Sequence, residues 1–184
     1  MDANRRVRVL VMGEPNVGKT SLVSQICGSK PRKYTVGCNL DVAIHRTDQT
    51  ECFVEFVDVS GHCQDTQVLE AFFRGIHGLI LVHNTCNSKS HANLDRWLNQ
   101  YLAYSREFHN DTLGNRRVPL LVVGTFLDVS RKHGMRSSLA EQYGGGSMVV
   151  DASGERITHS TTEQLAAFYD SCLENFESEK RPFN

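Results

Sequence analysis

The stretch that most restricts the fold is Gly13-Glu14-Pro15-Asn16-Val17-Gly18-Lys19-Thr20, which follows the apolar run Val7-Arg8-Val9-Leu10-Val11-Met12. Two glycines with four residues between them, then lysine and a hydroxyl residue, dictate a strand feeding a tight turn that opens straight into a helix. Such a turn wraps its backbone N–H groups around an anion, and Gly18 lets the main chain approach without a Cβ in the way. The helix starting near Lys19 aims its positive dipole end at the same point. A chain with this feature needs a sheet edge on which to hang the turn.

The residue types specify the anion. Lys19 suits the terminal phosphates of a nucleotide, and the Thr20 hydroxyl suits a magnesium ion. The backbone of Glu14, Asn16, Val17 and Gly18, with Ser21 one turn on, completes the grip that begins at Gly13. Pro15 fixes φ and has no N–H, so that position cannot donate to phosphate.

The rest of the chain supplies the sheet. Strands and helices alternate, the pattern of an α/β fold with a mostly parallel sheet and helices on both faces. Six strands are expected, at 5–12, 39–47, 51–59, 78–84, 118–124 and 147–151, the second and third forming an antiparallel hairpin across Thr47-Asp48-Gln49-Thr50. Gly78-Leu79-Ile80-Leu81-Val82-His83 and Pro119-Leu120-Leu121-Val122-Val123-Gly124 are short continuous apolar runs, as buried central strands require. Leu94, Trp97, Leu98, Tyr101 and Leu102 predict one helix over 88–107. Leu165, Phe168, Tyr169, Cys172, Leu173 and Phe176 predict a second near the end, with Ser160 and Glu163 as its capping box. Both aromatic stripes read as core. Gly134 and Gly144-Gly145-Gly146 leave room for only a short helix between 129 and 147.

At 184 residues, 40% apolar and 22% charged, the chain is one domain's worth, 1–178, with a short tail at 179–184. A net charge of -1 gives no electrostatic case for a nucleic-acid partner. The six cysteines, at 27, 38, 52, 63, 86 and 172, contain no C-x-x-C pair and read as reduced thiols of an intracellular, cytoplasmic protein. No apolar run has membrane-spanning length, Met1-Asp2 excludes myristoylation, and the terminal Ser-Glu-Lys-Arg-Pro-Phe-Asn holds no prenylatable cysteine. The expectation is therefore no direct membrane anchor, with recruitment to membranes running through partners.

Four further segments complete a nucleotide site. In Phe56-Val57-Asp58-Val59-Ser60-Gly61-His62-Cys63, Asp58 ends a strand and suits the second acidic half of a magnesium site, while Gly61 can turn its N–H toward a terminal phosphate. Thr35 lies in the loop leading to the second strand, where its hydroxyl completes the magnesium shell while a third phosphate is present. Asp128, four residues beyond the end of the strand expected at 118–124, can accept from the two adjacent N–H donors of guanine, a pair adenine lacks. Near Asp151-Ala152-Ser153 the Ala152 N–H can meet the purine's exocyclic oxygen.

In their order, these segments resemble the small GTPases of the Ras superfamily across nearly the whole chain. Tyr34-Thr35-Val36-Gly37-Cys38-Asn39-Leu40-Asp41-Val42, Asp58-Val59-Ser60-Gly61-His62, Leu79-Ile80-Leu81-Val82-His83-Asn84 and Val123-Gly124-Thr125-Phe126-Leu127-Asp128 are most similar to the branch of Rab-like protein 3 and its plant relatives. The resemblance implies the P-loop NTPase fold, five helices, GTP/GDP and Mg2+ as ligands, and switch loops around Thr35 and Gly61 that GTP orders. It implies effector and regulatory proteins that read those loops, and a role in intracellular transport. Whether helix 88–107 supports a homodimer stays open.

Three departures bear on mechanism. His62 stands where most such proteins carry the glutamine that orients the attacking water, so it is a catalytic candidate and also a candidate lost group. The expectation is slow hydrolysis. Thr125-Phe126-Leu127-Asp128 replaces Asn-Lys-x-Asp; a Phe126 ring can cover the base face by stacking, worth about 1–3 kcal/mol. The segment between Thr20 and Thr35 is short, and residues 24–33 hold no aromatic, so fast nucleotide exchange is expected. Two rivals remain: a non-hydrolysing interaction module with nucleotide as structural ligand, and an adenine-specific P-loop kinase or ATPase, against which Asp128 argues.

Overall fold

The structure, a computed structural model, describes residues 5–30, 33–47, 51–63, 66–108, 118–126, 137–152 and 157–179. Its elements in chain order are β1 (Arg6–Met12), α1 (Lys19–Cys27), β2 (Cys38–Arg46), β3 (Glu51–Val59), α2 (Thr66–Phe72), β4 (Gly78–Asn84), α3 (Ser88–Ala92), α4 (Leu94–Phe108), β5 (Leu120–Thr125), α5 (Ser138–Gln142), β6 (Gly146–Val149) and α6 (His159–Glu179).

The six strands form one sheet in the order β2-β3-β1-β4-β5-β6. All neighbours run parallel except β2 and β3, which pair antiparallel from Cys38 opposite Val59 to Arg46 opposite Glu51. The mostly parallel α/β sheet with one antiparallel strand is as expected, and each strand lies within two residues of its expected bounds.

Alternation along the strands builds two cores. Val7, Val9 and Val11 face one way and pack with Leu22 and Val23 of α1 and Leu165, Phe168 and Cys172 of α6. Leu10 and Met12 face the other way, against Leu69 and Phe73, Leu94, Trp97 and Tyr101 of α4, and Leu139 of α5. Both faces of β1 are thus covered, which is why its sequence is nearly continuous in apolar residues rather than alternating. The outer hairpin has an open face. Leu40, Val42 and Ile44 on the edge strand β2 are 55%, 52% and 49% exposed, while His45, on the opposite side, is buried against α6 with Nε2 2.7 Å from Asp170 Oδ1.

Two helical expectations need correction. The single helix at 88–107 is two: α3 closes at Asn93, whose N–H donates to Lys89 O at 3.0 Å, and the same Asn93 carbonyl accepts from Arg96 N at 3.2 Å to open α4. Asparagine competes poorly for helix interiors, and here it serves as one helix's end and the next one's start. The capping box at Ser160 and Glu163 is displaced: α6 starts at His159, and the Thr158 hydroxyl accepts from Thr161 N at 3.3 Å. Glu163 instead pairs with exposed His159 at 3.4 Å. With α3, α4 and α5 separate, six helices are described rather than five. No helix among the described residues is long and apolar enough to cross a membrane, and the six cysteines form no disulfide.

Met12, Val59, Asn84 and Thr125 end their strands at the same edge of the sheet. There β1 is flanked by β3 on one side and β4 on the other, and the crevice outside those carboxyl ends is where an α/β sheet binds ligands.

Candidate functional site

Backbone conformation explains the glycines of the opening loop. Gly13 has φ +151, and a Cβ there would lie 2.2 Å from the Val82 carbonyl oxygen of β4, so only glycine lets the loop leave β1. Gly18 has φ +87 and caps α1 in the left-handed conformation. Asn16 between them also has positive φ, at 58, which asparagine tolerates better than most residues. Val17 is buried at 2% exposure, holding the loop onto the core shared with α1.

The Lys19 amine is buried, with Nζ donating to Gly13 O at 2.9 Å and Glu14 O at 2.8 Å. Burial lowers its pKa to about 8, opposed by the charges of Asp58 and Glu14. A lysine held this way offers one remaining donor direction and a positive charge poorly shielded by solvent.

Three oxygen-bearing residues converge beside it. Thr20 Oγ1 donates to Asp58 Oδ2 at 2.6 Å and lies 2.8 Å from Thr35 Oγ1; Thr35 Oγ1 is also 3.2 Å from Asp58 Oδ2. Asn39 Nδ2 donates to Thr35 Oγ1 at 2.9 Å, pinning the loop before β2. Asp58 is fully buried, and its Oδ1 has no hydrogen-bond partner. Burial raises its pKa, against the lowering effects of Thr20, Lys19, Thr35 and Asn39. A buried carboxylate oxygen without a donor, next to two hydroxyl residues that line a cleft, fits a hard divalent cation such as magnesium.

The two loops flanking this cluster are tied together, since Ser60 N donates to Gly37 O at 2.9 Å, continuing the β2–β3 ladder. Gly61 packs on the phosphate loop so closely that a Cβ would stand 2.4 Å from Pro15 N and 2.6 Å from Glu14 C. His62 is exposed, and its N–H donates to Ser60 Oγ at 3.3 Å.

A cleft of about 270 Å³ collects these pieces, lined by Pro15, Asn16, Gly18, Lys19, Thr20 and Ser21, by Lys33, Tyr34 and Thr35, by Ser60, Gly61 and His62, and by Phe126. Phe126 has positive φ, 63, unusual for an aromatic residue, and Thr85 Oγ1 donates to its carbonyl at 3.3 Å and to that of Thr125 at 2.7 Å. Thr125 itself does not line the cleft. Its buried Oγ1 donates to Val17 O at 2.5 Å and lies 3.0 Å from His83 O, so it ties the end of β5 to the phosphate loop. The Asp151 carbonyl accepts from Gln25 Nε2 of α1 at 3.2 Å, and Ala152 packs against the α1 and α6 side of the core. Asp128 and Ser153 lie outside the described residues.

A second cavity, about 340 Å³, lies at the opposite edge, lined by residues including Leu120, Gly145, Gln164 and Phe168. It is larger, but it opens beside Gly144-Gly145-Gly146, which have no side chains, and it gathers no charged group among the described residues. The smaller cleft carries the chemistry.

Sequence reasoning missed Asn39, Thr85 and the partners of Glu14. Glu14 Oε1 accepts from Arg96 Nη2 at 2.7 Å and from Trp97 Nε1 at 3.1 Å. Asn39 was findable, four residues after Thr35 at the mouth of the hairpin; the others need the fold.

A parallel sheet with a glycine turn after its central strand, a buried lysine at that turn, and a carboxylate–hydroxyl cluster beside it defines a P-loop nucleotide-binding protein. The Ras family model matches residues 8–166, and the chain belongs to that family of small GTPases, GTP-binding switches. It is 30% identical to Rab-like protein 3 of Bos taurus over 200 aligned positions, covering 92% of this chain and 85% of that protein. Against Rab-like protein 3 of Homo sapiens the figure is 29% over the same shares. Small GTPase LIP1 of Arabidopsis thaliana is 31% identical over 183 positions, 89% of this chain and 53% of the plant protein. These relatives make it a Rab-like small GTPase, a class that binds GTP and GDP, usually with magnesium, and acts through effector and regulatory proteins.

Proposed function

We propose that this chain cycles between GTP- and GDP-bound states, cleaves GTP slowly, and presents its Thr35 and Gly61 loops to protein partners in intracellular transport. The whole unit is one nucleotide-binding domain, residues 1–178. One observation carries the reading: Thr20, Thr35 and Asp58 come from three separate segments, yet their oxygens meet within 3.2 Å at the mouth of the phosphate loop.

In this reading Lys19 and the N–H groups of residues 13, 14 and 16–18, with Ser21, hold the phosphates. Thr20, Thr35 and Asp58 hold magnesium, which when bound neutralises charge on the phosphate oxygens. Thr35 and Gly61 respond to a third phosphate: Thr35 sits on a loop held by the Asn39 amide, and Gly61 abuts Glu14 and Pro15. Loss of that phosphate removes a ligand both loops share, and the Gly37–Ser60 backbone bond makes them move as a pair. Phe126 stacks on the base, Asp128 accepts from guanine, and the Asp151-Ala152-Ser153 backbone meets its exocyclic oxygen. His62 orients water in place of the usual glutamine. An imidazole differs from an amide in its reach and in the hydrogen bonds it offers water, hence slow cleavage.

The exposure of His62 favours a second reading, a non-hydrolysing module that keeps nucleotide as a structural ligand. Two measurements separate the possibilities. Chromatography of the nucleotide released on denaturing the purified protein, with ATP competition against labelled GDP, tests guanine selectivity; indifference to guanine nucleotides overturns the proposal. Single-turnover GTP loss then decides between a slow enzyme and a binding module.

A further inference from the structure

Glu14 places a carboxylate inside a loop whose ligand is an anion, the wrong charge for the position. The structure resolves this by turning the side chain out of the cleft, which Glu14 does not line, toward α4. There Oε1 accepts from Arg96 Nη2 at 2.7 Å and from the Trp97 indole N–H at 3.1 Å, and the guanidinium stands 5.4 Å from the Trp97 ring centroid. Trp97 is 2% exposed and wedged into the core beneath the sheet, so its N–H is a fixed donor. Arg96 is 54% exposed and supplies the neutralising charge from the surface.

The backbone of the same residue does two more things. The Glu14 carbonyl accepts from Lys19 Nζ at 2.8 Å, and its carbonyl carbon stands 2.6 Å from where a Cβ on Gly61 would be. One residue thus joins α4, the phosphate-binding amine and the second switch loop.

We propose that Arg96 and Trp97 are positioning residues for the phosphate loop: by holding and neutralising Glu14, helix α4 sets the loop's shape and field and thereby the lifetime of bound nucleotide. This rests on the reading of residues 13–20 as the phosphate grip. Removing Arg96 leaves a partly buried carboxylate with an indole as its remaining described partner. The Glu14 charge is then free to draw on Lys19, which it already stabilises in the protonated form, and to repel phosphate. Half-exposed Arg96 is also the point at which an acidic surface docking on α4 would loosen the grip.

The test is the release rate of fluorescently labelled GDP from the intact chain carrying Arg96→Ala, Arg96→Gln, or Glu14→Gln with Arg96→Ala. Release is expected to quicken about tenfold in both single variants, and to return to within about threefold of wild type in the double variant, which carries no unpaired carboxylate. A purely structural role for Arg96 would not be rescued by Glu14→Gln. Trp97 is the chain's single tryptophan, so its emission reports the bond to Glu14 directly. It should shift in Arg96→Ala and shift again when nucleotide leaves. Release within about twofold of wild type in Arg96→Ala, or equal acceleration in the single and double variants, overturns the proposal. Wild-type protein that binds no guanine nucleotide overturns the reading of the loop as well; a wild type that binds, with variants that do not differ from it, overturns the positioning role alone.

Discussion

Lys19 carries a pH dependence that can be worked out from its surroundings. The residue is 6% exposed, and burial brings its pKa down to about 8 from an ordinary 10.5. An anionic phosphate at the loop favours the charged amine, so the nucleotide-bound protein keeps the proton where the empty one loses it. Below about pH 8 both forms are protonated and affinity is flat. At pH 9 about nine in ten empty molecules carry a neutral amine, which lowers apparent affinity about tenfold, with another factor of about ten per further pH unit. The empty protein shows the opposite trend in stability. The folded pKa lies below the unfolded one, so the cost of burying a charged amine is fully present below about pH 8. It is relieved as pH rises toward 10.5, a gain of about 3 kcal/mol. The assay is equilibrium binding of labelled GDP from pH 7 to 10, beside thermal melts of nucleotide-free protein over the same range. Guanine itself sheds a proton near the upper end, so Lys19→Met is measured in parallel and the lysine's share is the difference. Wild type and Lys19→Met with parallel affinity profiles up to pH 9.5 would refute the reasoning, because the buried amine would then titrate as an exposed one does.

Other consequences follow from the same cluster. Gly61→Ala drives a Cβ into the Pro15 and Glu14 backbone, so the folded state should lose about 1–3 kcal/mol in denaturant melts, an unchanged midpoint counting against the close packing. Asp58→Asn removes a charge whose burial is unfavourable. It should stabilise the metal- and nucleotide-free chain by about 1 kcal/mol while abolishing the gain in nucleotide retention on adding magnesium, as chelator titrations would show. His62→Gln should raise single-turnover GTP cleavage several-fold over wild type, and equal rates would remove His62 as the limiting departure.

The sheet and the convergence of Thr20, Thr35 and Asp58 were legible because each depends on residue type in a fixed local frame: apolar runs of strand length, a hydroxyl just inside a helix, a carboxylate at a strand tip. What stayed hidden depends on distance in space. Nothing in the sequence links Glu14 to Trp97 or Thr125 to Val17, and the Thr125 hydroxyl turns out to brace the loop rather than face the cleft. The break at Asn93 was hidden for a different reason. Leu94, Trp97, Leu98 and Tyr101 keep helical spacing whether or not the preceding turn joins them, so periodicity cannot see the interruption. Asp128 and Ser153 lie outside the described residues, so the proposed guanine selectivity rests on residue type and on the placement of Phe126 at the cleft.

The strand order has a mechanical consequence. The hairpin β2–β3, which carries Asp58 and leads into both switch loops, meets the β4–β5–β6 half of the sheet only across β1. In the proposed reading, a nucleotide held by the loop after β1, through magnesium at Asp58 on one side and by the Phe126 segment on the other, would act as a strap over that seam of the sheet. Stripped of its ligand, the domain keeps its halves in register through the β1 ladders and through α6, which packs on both halves, and proteases should cut the empty protein before the loaded one.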